Sequence, residues 1–272
     1  YSAPLNNGVL YVNCKGDFFK IAMNVSTSSI QKIDQLKINF YHESMHQFAK
    51  KENFIADGVT FGLPLSPKGL EKINDNLYAV SFTQWDESQD AAVLKVNLIH
   101  LKEDQYKMTE LYTSKGNIKL KSKGNVYCGH QAGGAMTLYD QNHLLVTVGD
   151  FQYDGFNTKE IYPQDTNNHF GKTILVNLNN KKSEIFSIGN RNPQGVVKHS
   201  NGFIYSTSHG PKGGDELNLI EKNKNYGWPF AVLGINYNNR HFPAEEKPTF
   251  HIKSSKQLDA KKIFPFESTF TE

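Results

Sequence analysis

The sequence predicts an all-β fold of the propeller type, and three observations carry that reading. Short runs rich in β-formers recur at Leu10-Tyr11-Val12, Leu77-Tyr78-Ala79-Val80, Leu144-Leu145-Val146 and Phe203-Ile204-Tyr205, each with a Gly or Asn one or two residues ahead. A second marker follows three of them, at Val96-Asn97-Leu98, Val176-Asn177-Leu178 and Leu217-Asn218-Leu219. Helical periodicity, by contrast, is scarce: residues 38–51 form the one credible helix, and residues 27–37 are open to either reading. Strand, loop, strand repeated along a chain is the signature of sheets arranged radially. A β-sandwich with long connections is the alternative that the pattern leaves open.

The repeats start at intervals of about 60–70 residues, longer than the roughly 40–50 of common propeller units. The extra length falls in inter-strand loops such as residues 150–170, and long loops at one end of a sheet scaffold are where a propeller builds a site. Four units are recognisable, and Gly234-Ile235-Asn236-Tyr237 begins a fifth. The expectation is therefore one propeller domain over residues 1–272 whose ring does not visibly close, with a C-terminal part beyond Glu272. Open sheet edges of that kind invite association.

With 38% hydrophobic and 21% charged residues in 272, the chain can bury a sizeable core and lies far from disorder. The net charge is +3 and the basic residues are scattered, which argues against nucleic acid as a partner. No apolar run approaches the roughly 18 residues of a membrane span. The chain begins at Tyr1 with neither a methionine nor a signal-like segment, as expected of a removed leader or an internal start. Cys14 and Cys128 lack the C-x-x-C spacing of a zinc knuckle or redox motif; they read as two buried thiols, with a long-range disulfide left open.

Candidate chemistry concentrates in polar, glycine-rich loops. His130 precedes one strand and Asp150 ends the next in V-T-V-G-D, so an antiparallel hairpin brings both to one end of a sheet. A carboxylate there can fix the tautomer of an imidazole base. Arg191 and Asn192 lie ahead of Pro193 in a turn where a guanidinium could stabilise charge developing on a carbonyl oxygen. The run from His209 through Gly210, Pro211 and Gly214 to Asp215 and Glu216 offers bare carbonyls and carboxylates, hard oxygen donors that suit Ca²⁺. The plain alternatives are a histidine in a turn, an arginine tying loops together and a glycine-rich hairpin.

Two other motifs compete. His42-Glu43-Ser44-Met45-His46 is an H-E-x-x-H, which on a helix faces two imidazoles toward a zinc ion, with Glu43 as base and Glu71 as a conceivable distant third ligand. Its metzincin extension fails at Ala49 and Glu52. Gly171-Lys172-Thr173 is no phosphate loop, because Thr166 stands where the first glycine is needed and a β-run follows.

The blocks H-x-x-G-G, V-G-D, G-K-T-I-L-V-N-L, G-N-R-N-P-Q-G, H-G-P-K-G-G-D-E-L-N-L-I, N-Y-G-W-P and G-I-N-Y run in this order from Gly129 to Tyr237. In wording and order they resemble the soluble quinoprotein glucose dehydrogenase and aldose sugar dehydrogenase family. The resemblance implies a six-bladed propeller of four-stranded antiparallel blades. It also implies pyrroloquinoline quinone (PQQ) and Ca²⁺ as cofactors, oxidation of an aldose to its lactone, an external electron acceptor, and a periplasmic or secreted location. It assigns His130 as general base, Asp150 as its orienting acid, Arg191 as the residue that polarises the quinone carbonyl and Asn192 as a cofactor contact. Gly210 and Pro211 would give carbonyls to the cofactor-bound calcium, and Glu216 with the Tyr226 carbonyl would form a second calcium site.

Several positions depart from the family pattern. Ala135 replaces an arginine, one extra residue separates His130 from the glycines, and Asn190 replaces a histidine. The N-terminal G-x-G-G-L-L-G block is not found, and the basic residues that hold the cofactor's carboxylates lie beyond Glu272. These departures keep a second function in view, a propeller that binds sugars or a protein without turnover.

Overall fold

The computed structural model describes residues 1–23, 28–52, 65–102, 105–119, 121–122, 125–126, 130–155, 158–232 and 234–235. The chain winds four consecutive antiparallel sheets. The first comprises β1 (Ser2–Leu5), β2 (Gly8–Val12), β3 (Asp17–Met23) and β4 (Ser28–Lys37). The second comprises β5 (Pro67–Asn74), β6 (Leu77–Asp86), β7 (Ala91–Lys102) and β8 (Gln105–Thr113). A two-residue hairpin of β9 (Lys121–Ser122) and β10 (Asn125–Val126) precedes the third sheet. That sheet holds β11 (Gly133–Asp140), β12 (His143–Val148), β13 (Lys172–Asn177) and β14 (Ser183–Ile188). The fourth holds β15 (Asn192–Lys198), β16 (Ile204–His209) and β17 (Glu216–Leu219), three strands among the described residues.

The first strands of successive sheets lie against one another: β1 against β5, β5 against β11, and β11 against β15. Each sheet is thus a blade whose first strand is innermost, and the fold is the expected β-propeller. Second strands are sandwiched between neighbouring blades. In β6 the run Tyr78–Thr83 is buried on both faces, which is why these strands read as continuous β-forming runs rather than as alternating ones. The four repeats in the sequence are these second strands, β2, β6, β12 and β16, and the second marker falls on the third strands β7, β13 and β17.

One apolar core runs through the first three blades, with Leu10, Phe18, Tyr78, Phe82, Trp85 and Phe170 among its fully or almost fully buried members. A smaller cluster of Leu145, Leu175, Phe186, Ile204, Ile220 and Tyr226 joins the third blade to the fourth. No helix among the described residues is long and apolar enough to cross a membrane.

Two expectations need correction, and one open segment is resolved. The helix α1 is His42–Lys51, not 38–51: Tyr41 adopts a left-handed φ of 57° that blocks an earlier start. The stretch before it is tied off by Ile38 N donating to Gly16 O and Trp85 N donating to Phe40 O. The undecided segment is strand β4 from Ser28. Cys14 is exposed with a free thiol, because the turn between β2 and β3 faces solvent; Cys128 lies outside the described residues, as does most of the predicted fifth unit.

Candidate active site

The loop from β12 to β13, residues 149–171, carries the extra length of the third blade. It is stitched to its neighbours by backbone bonds: Gly149 N donates to Ala132 O (2.9 Å), Phe151 N to Gln131 O (3.1 Å) and Asp150 N to Arg191 O (2.8 Å). The approach is so close that a Cβ on Gly149 would sit 1.9 Å from Gln131 O, so only glycine fits there. Gln131, Phe151 and Gln152 all adopt positive φ, a backbone conformation side chains resist and functional sites tolerate. The turn carries Gln152 N back to Asp150 Oδ1 at 2.9 Å.

Further along, the ammonium of fully buried Lys172 donates to the carbonyls of Tyr162 (2.6 Å) and Phe170 (2.7 Å) and to Asn168 Oδ1 (3.3 Å). The Tyr162 ring stacks on Tyr153 at 4.4 Å. The loop is therefore packed from within rather than draped over the surface.

Asp150 is completely buried. Its Oδ2 accepts from the Trp228 indole Nε1 at 2.7 Å. Gln131, with its amide oriented to satisfy both neighbours, donates to Asp150 Oδ1 (2.6 Å) and accepts from Arg191 Nη2 (3.0 Å). Burial, reinforced by the nearby Asp154, raises the Asp150 pKa to about 8 against the opposing pull of Arg191. The Arg191 guanidinium also lies 5.4 Å from the Trp228 ring, and its Nη1 donates to the carbonyls of His209 (3.1 Å) and Gly210 (2.6 Å). Asn192 opens β15 and accepts from Gly133 N through Oδ1 at 3.2 Å.

These groups border an open cavity of about 680 Å³, into which His130, Arg191, Asn192, Gly210 and Pro211 all face. Five of the expected site residues thus share one space, with Asp150 directly behind it. The pairing of Gly133 with Val148 in the β11–β12 register brings His130 and Asp150 to the same end, because it places the start of one strand beside the end of the next. Lys68, Gln131, Gln152 and Asp215 complete much of the wall. No motif signalled Lys68 or Gln131. Trp228 lies in the N-Y-G-W-P block, yet its two contacts follow only from the third dimension.

Glu216 and Tyr226 do not reach this cavity. Glu216 borders a smaller hollow of about 230 Å³ with Gln194 and Thr207, and burial raises its pKa. Tyr226 is packed by its hydroxyl, which donates to Leu219 O and accepts from Glu221 N. Among the described residues no three His, Cys, Asp or Glu side chains gather as a metal cluster. His42 and His46 do share a face of α1, rings 6.4 Å apart, but Glu43 is turned aside to Gln47 Nε2 at 3.1 Å and Glu71 lies on β5 against the backbone of Leu138. The third zinc ligand is thus not supplied by Glu71.

The residues present fit a planar anionic cofactor in part and calcium less well. Arg191, on the cavity wall, has its Nε buried without a hydrogen-bond partner, as a group awaiting a ligand would. The Gly210 carbonyl, by contrast, already serves Arg191.

The chain matches the family model for glucose/sorbosone dehydrogenases over residues 71–257. It is 29% identical over 177 residues to the aldose sugar dehydrogenase YliI of Escherichia coli, an overlap covering 57% of this chain and 45% of that protein. Over 82 residues it is 37% identical to quinoprotein glucose dehydrogenase B of Acinetobacter calcoaceticus, covering 26% of this chain and 17% of that one. In structure it resembles the soluble aldose sugar dehydrogenase of Escherichia coli in its apo form, with a TM-score of 0.66 at 21% identity over 89% of this chain and 65% of that one. The PQQ-bound aldose sugar dehydrogenase of Streptomyces coelicolor matches at a TM-score of 0.59 and 16% identity, over 88% of this chain and 65% of that one. The chain spans less than half the length of the curated relatives it matches, and these structures speak for the fold. A family match over more than half of the chain, on a propeller whose motif residues meet in one cavity, settles the kinship: the chain belongs to the glucose/sorbosone dehydrogenase family.

Proposed function

We propose that this chain forms the sugar- and cofactor-facing part of a PQQ-dependent aldose dehydrogenase that oxidises an aldose to its lactone and acts outside the cytoplasm. The observation that carries the reading is the meeting of His130, Arg191 and Asn192 on one cavity wall with the buried Asp150 behind them. Family membership supplies the reaction class. When bound, the quinone provides the two-electron acceptor for the hydride leaving C1 of the sugar, and an external acceptor later removes the electrons.

The remaining work falls to the chain. His130, exposed at the cavity mouth, takes the proton of the C1 hydroxyl as general base. Asp150, pinned by Trp228, Gln152 and Gln131, takes in this reading the part of orienting the base. Arg191 offers a guanidinium, held by Gln131 and two carbonyls, to negative charge developing on a carbonyl oxygen. Asn192 borders the same space as a cofactor contact. Ca²⁺ belongs to this reading through the oxygen donors of Gly210 and Pro211, with Glu216 and the Tyr226 carbonyl as a second site. An ion at Gly210 would have to displace Arg191 Nη1 from that carbonyl.

A propeller that binds sugar without turnover is the second reading, favoured by the same engagement of Gly210 O with Arg191. Full-length protein incubated with PQQ and Ca²⁺ and challenged with a panel of aldoses separates the two: sugar-dependent quinone reduction is expected, and bound sugar without reduction would establish the alternative.

A further inference from the structure

The second blade brings to the cavity a cation that none of the motifs contains. Lys68, the second residue of β5, lines the cavity and donates from Nζ to Ser66 Oγ at 3.0 Å. No carboxylate among the described residues pairs with it, and burial alone lowers its pKa to about 8.

Its placement is built. Gly134 has φ of +97°, and a Cβ there would meet Lys68 Cβ at 2.2 Å, so the missing side chain is what admits the lysine stem. Ser66 is fixed in turn, its N donating to Thr83 Oγ1 at 3.0 Å while Thr83 N donates to Ser66 O at 3.0 Å. β11 lies between β5 and β15, so Lys68 and Arg191 reach the cavity from the two sides of the β11 start. Arg191 Nε is also buried without a partner. The acidic member of the wall, Asp215, is already engaged by Gly210 N at 2.9 Å. Two cations under-supplied with counter-charge on one wall recognise an anion with charge at more than one edge.

We propose that Lys68 is the carboxylate anchor of this chain: it holds one carboxylate of the bound quinone from the β5 side while Arg191 stands on the β15 side. The inference rests on the quinone reading given above. It gives the chain, within its own residues, a cation for a role that the resemblance places beyond Glu272.

The test is equilibrium binding of PQQ to full-length protein, followed by the quinone's absorbance and fluorescence with no sugar present. Lys68→Met is expected to weaken binding by about 10- to 100-fold and Lys68→Arg by no more than about threefold, the range of one charge-assisted hydrogen bond. The trimethyl ester of PQQ, which lacks the carboxylate charges, should bind wild type and Lys68→Met alike. The melting temperature of ligand-free Lys68→Met should not fall, because the substitution removes a half-buried charge that has no carboxylate partner among the described residues. Wild-type affinity for the acid in Lys68→Met overturns the anchor and leaves the quinone reading standing. Equal weakening of acid and ester also overturns it, by showing that Lys68 acts through shape. No PQQ binding by wild type removes the quinone reading and the anchor with it.

Discussion

The indole of Trp228 donates to Asp150 Oδ2 at 2.7 Å while its ring lies 5.4 Å from the Arg191 guanidinium. One side chain therefore holds the buried acid and flanks the cation of the site. Trp228→Phe keeps a ring against Arg191 and withdraws the indole donor to Asp150 Oδ2. The expected loss is about 1–3 kcal/mol of stability, the usual cost of leaving a buried acceptor short of a partner. Urea unfolding of the two proteins measures it, and unchanged midpoints would show the bond to be dispensable.

His130→Ala in cofactor-loaded, full-length protein should lower sugar-dependent quinone reduction by about 10²- to 10⁴-fold, the ordinary contribution of a general base, with cofactor affinity almost unchanged. Asp150→Asn should be milder, since it leaves the base in place. Arg191→Ala should weaken cofactor binding and turnover together. Steady-state rates and a parallel cofactor titration separate the three patterns; wild-type turnover in His130→Ala would remove that residue from the mechanism.

Asp150 also makes a pH prediction. Its ordinary pKa is 3.8 and burial raises it to about 8 in the fold, so between these values the native state holds a proton that the unfolded chain has lost. Its contribution to stability is fully present below pH about 4 and is lost as pH rises toward 8. Melting temperatures across that window should decline more steeply for wild type than for Asp150→Asn, and parallel curves would contradict the assignment.

Calcium offers a further handle. An ion that binds only the folded state stabilises it by mass action, about 2.7 kcal/mol at a hundredfold excess over its dissociation constant. Millimolar Ca²⁺ should raise the melting temperature and a chelator should reverse the gain. A flat response, with no calcium by elemental analysis, counts against both Gly210-Pro211 and Glu216-Tyr226 as ligands.

Replacing His42 and His46 together by Ala should leave sugar oxidation intact and bound zinc negligible. The pair sits on α1, whose buried residues Met45 and Ala49 pack toward the core, whereas the cavity residues come from β5, β15, the end of β16 and the loops before β11, after β12 and after β16. Loss of one stoichiometric zinc in the double variant would reverse this conclusion.

Much of the fold was legible because second strands such as β6 are buried on both faces and so must be written in β-formers. The innermost strands were not. β5 reads Pro-Lys-Gly-Leu-Glu-Lys-Ile-Asn and β15 reads Asn-Pro-Gln-Gly-Val-Val-Lys, polar and interrupted by Gly and Pro, and neither is buried along its whole length. The site divides in the same way. His130, Arg191, Asn192, Gly210 and Pro211 stand in recognisable loop words and do meet. Lys68 and Gln131 carry no such signal, because their value comes from strands brought side by side by the ring. Glu216, expected with the Tyr226 carbonyl at a second calcium site, borders a separate smaller hollow.

Lys172 gives the long third-blade loop an internal cation of its own. Its ammonium gathers the Tyr162 and Phe170 carbonyls and the Asn168 amide oxygen, the kind of oxygen set that loops of this length often hand to a metal. A covalently attached cation cannot be chelated, diluted or exchanged. The described part of the loop that carries Asp150 is therefore held by its own side chain rather than by a metal, and because burial lowers the Lys172 pKa to about 7 that hold weakens as pH rises above neutrality.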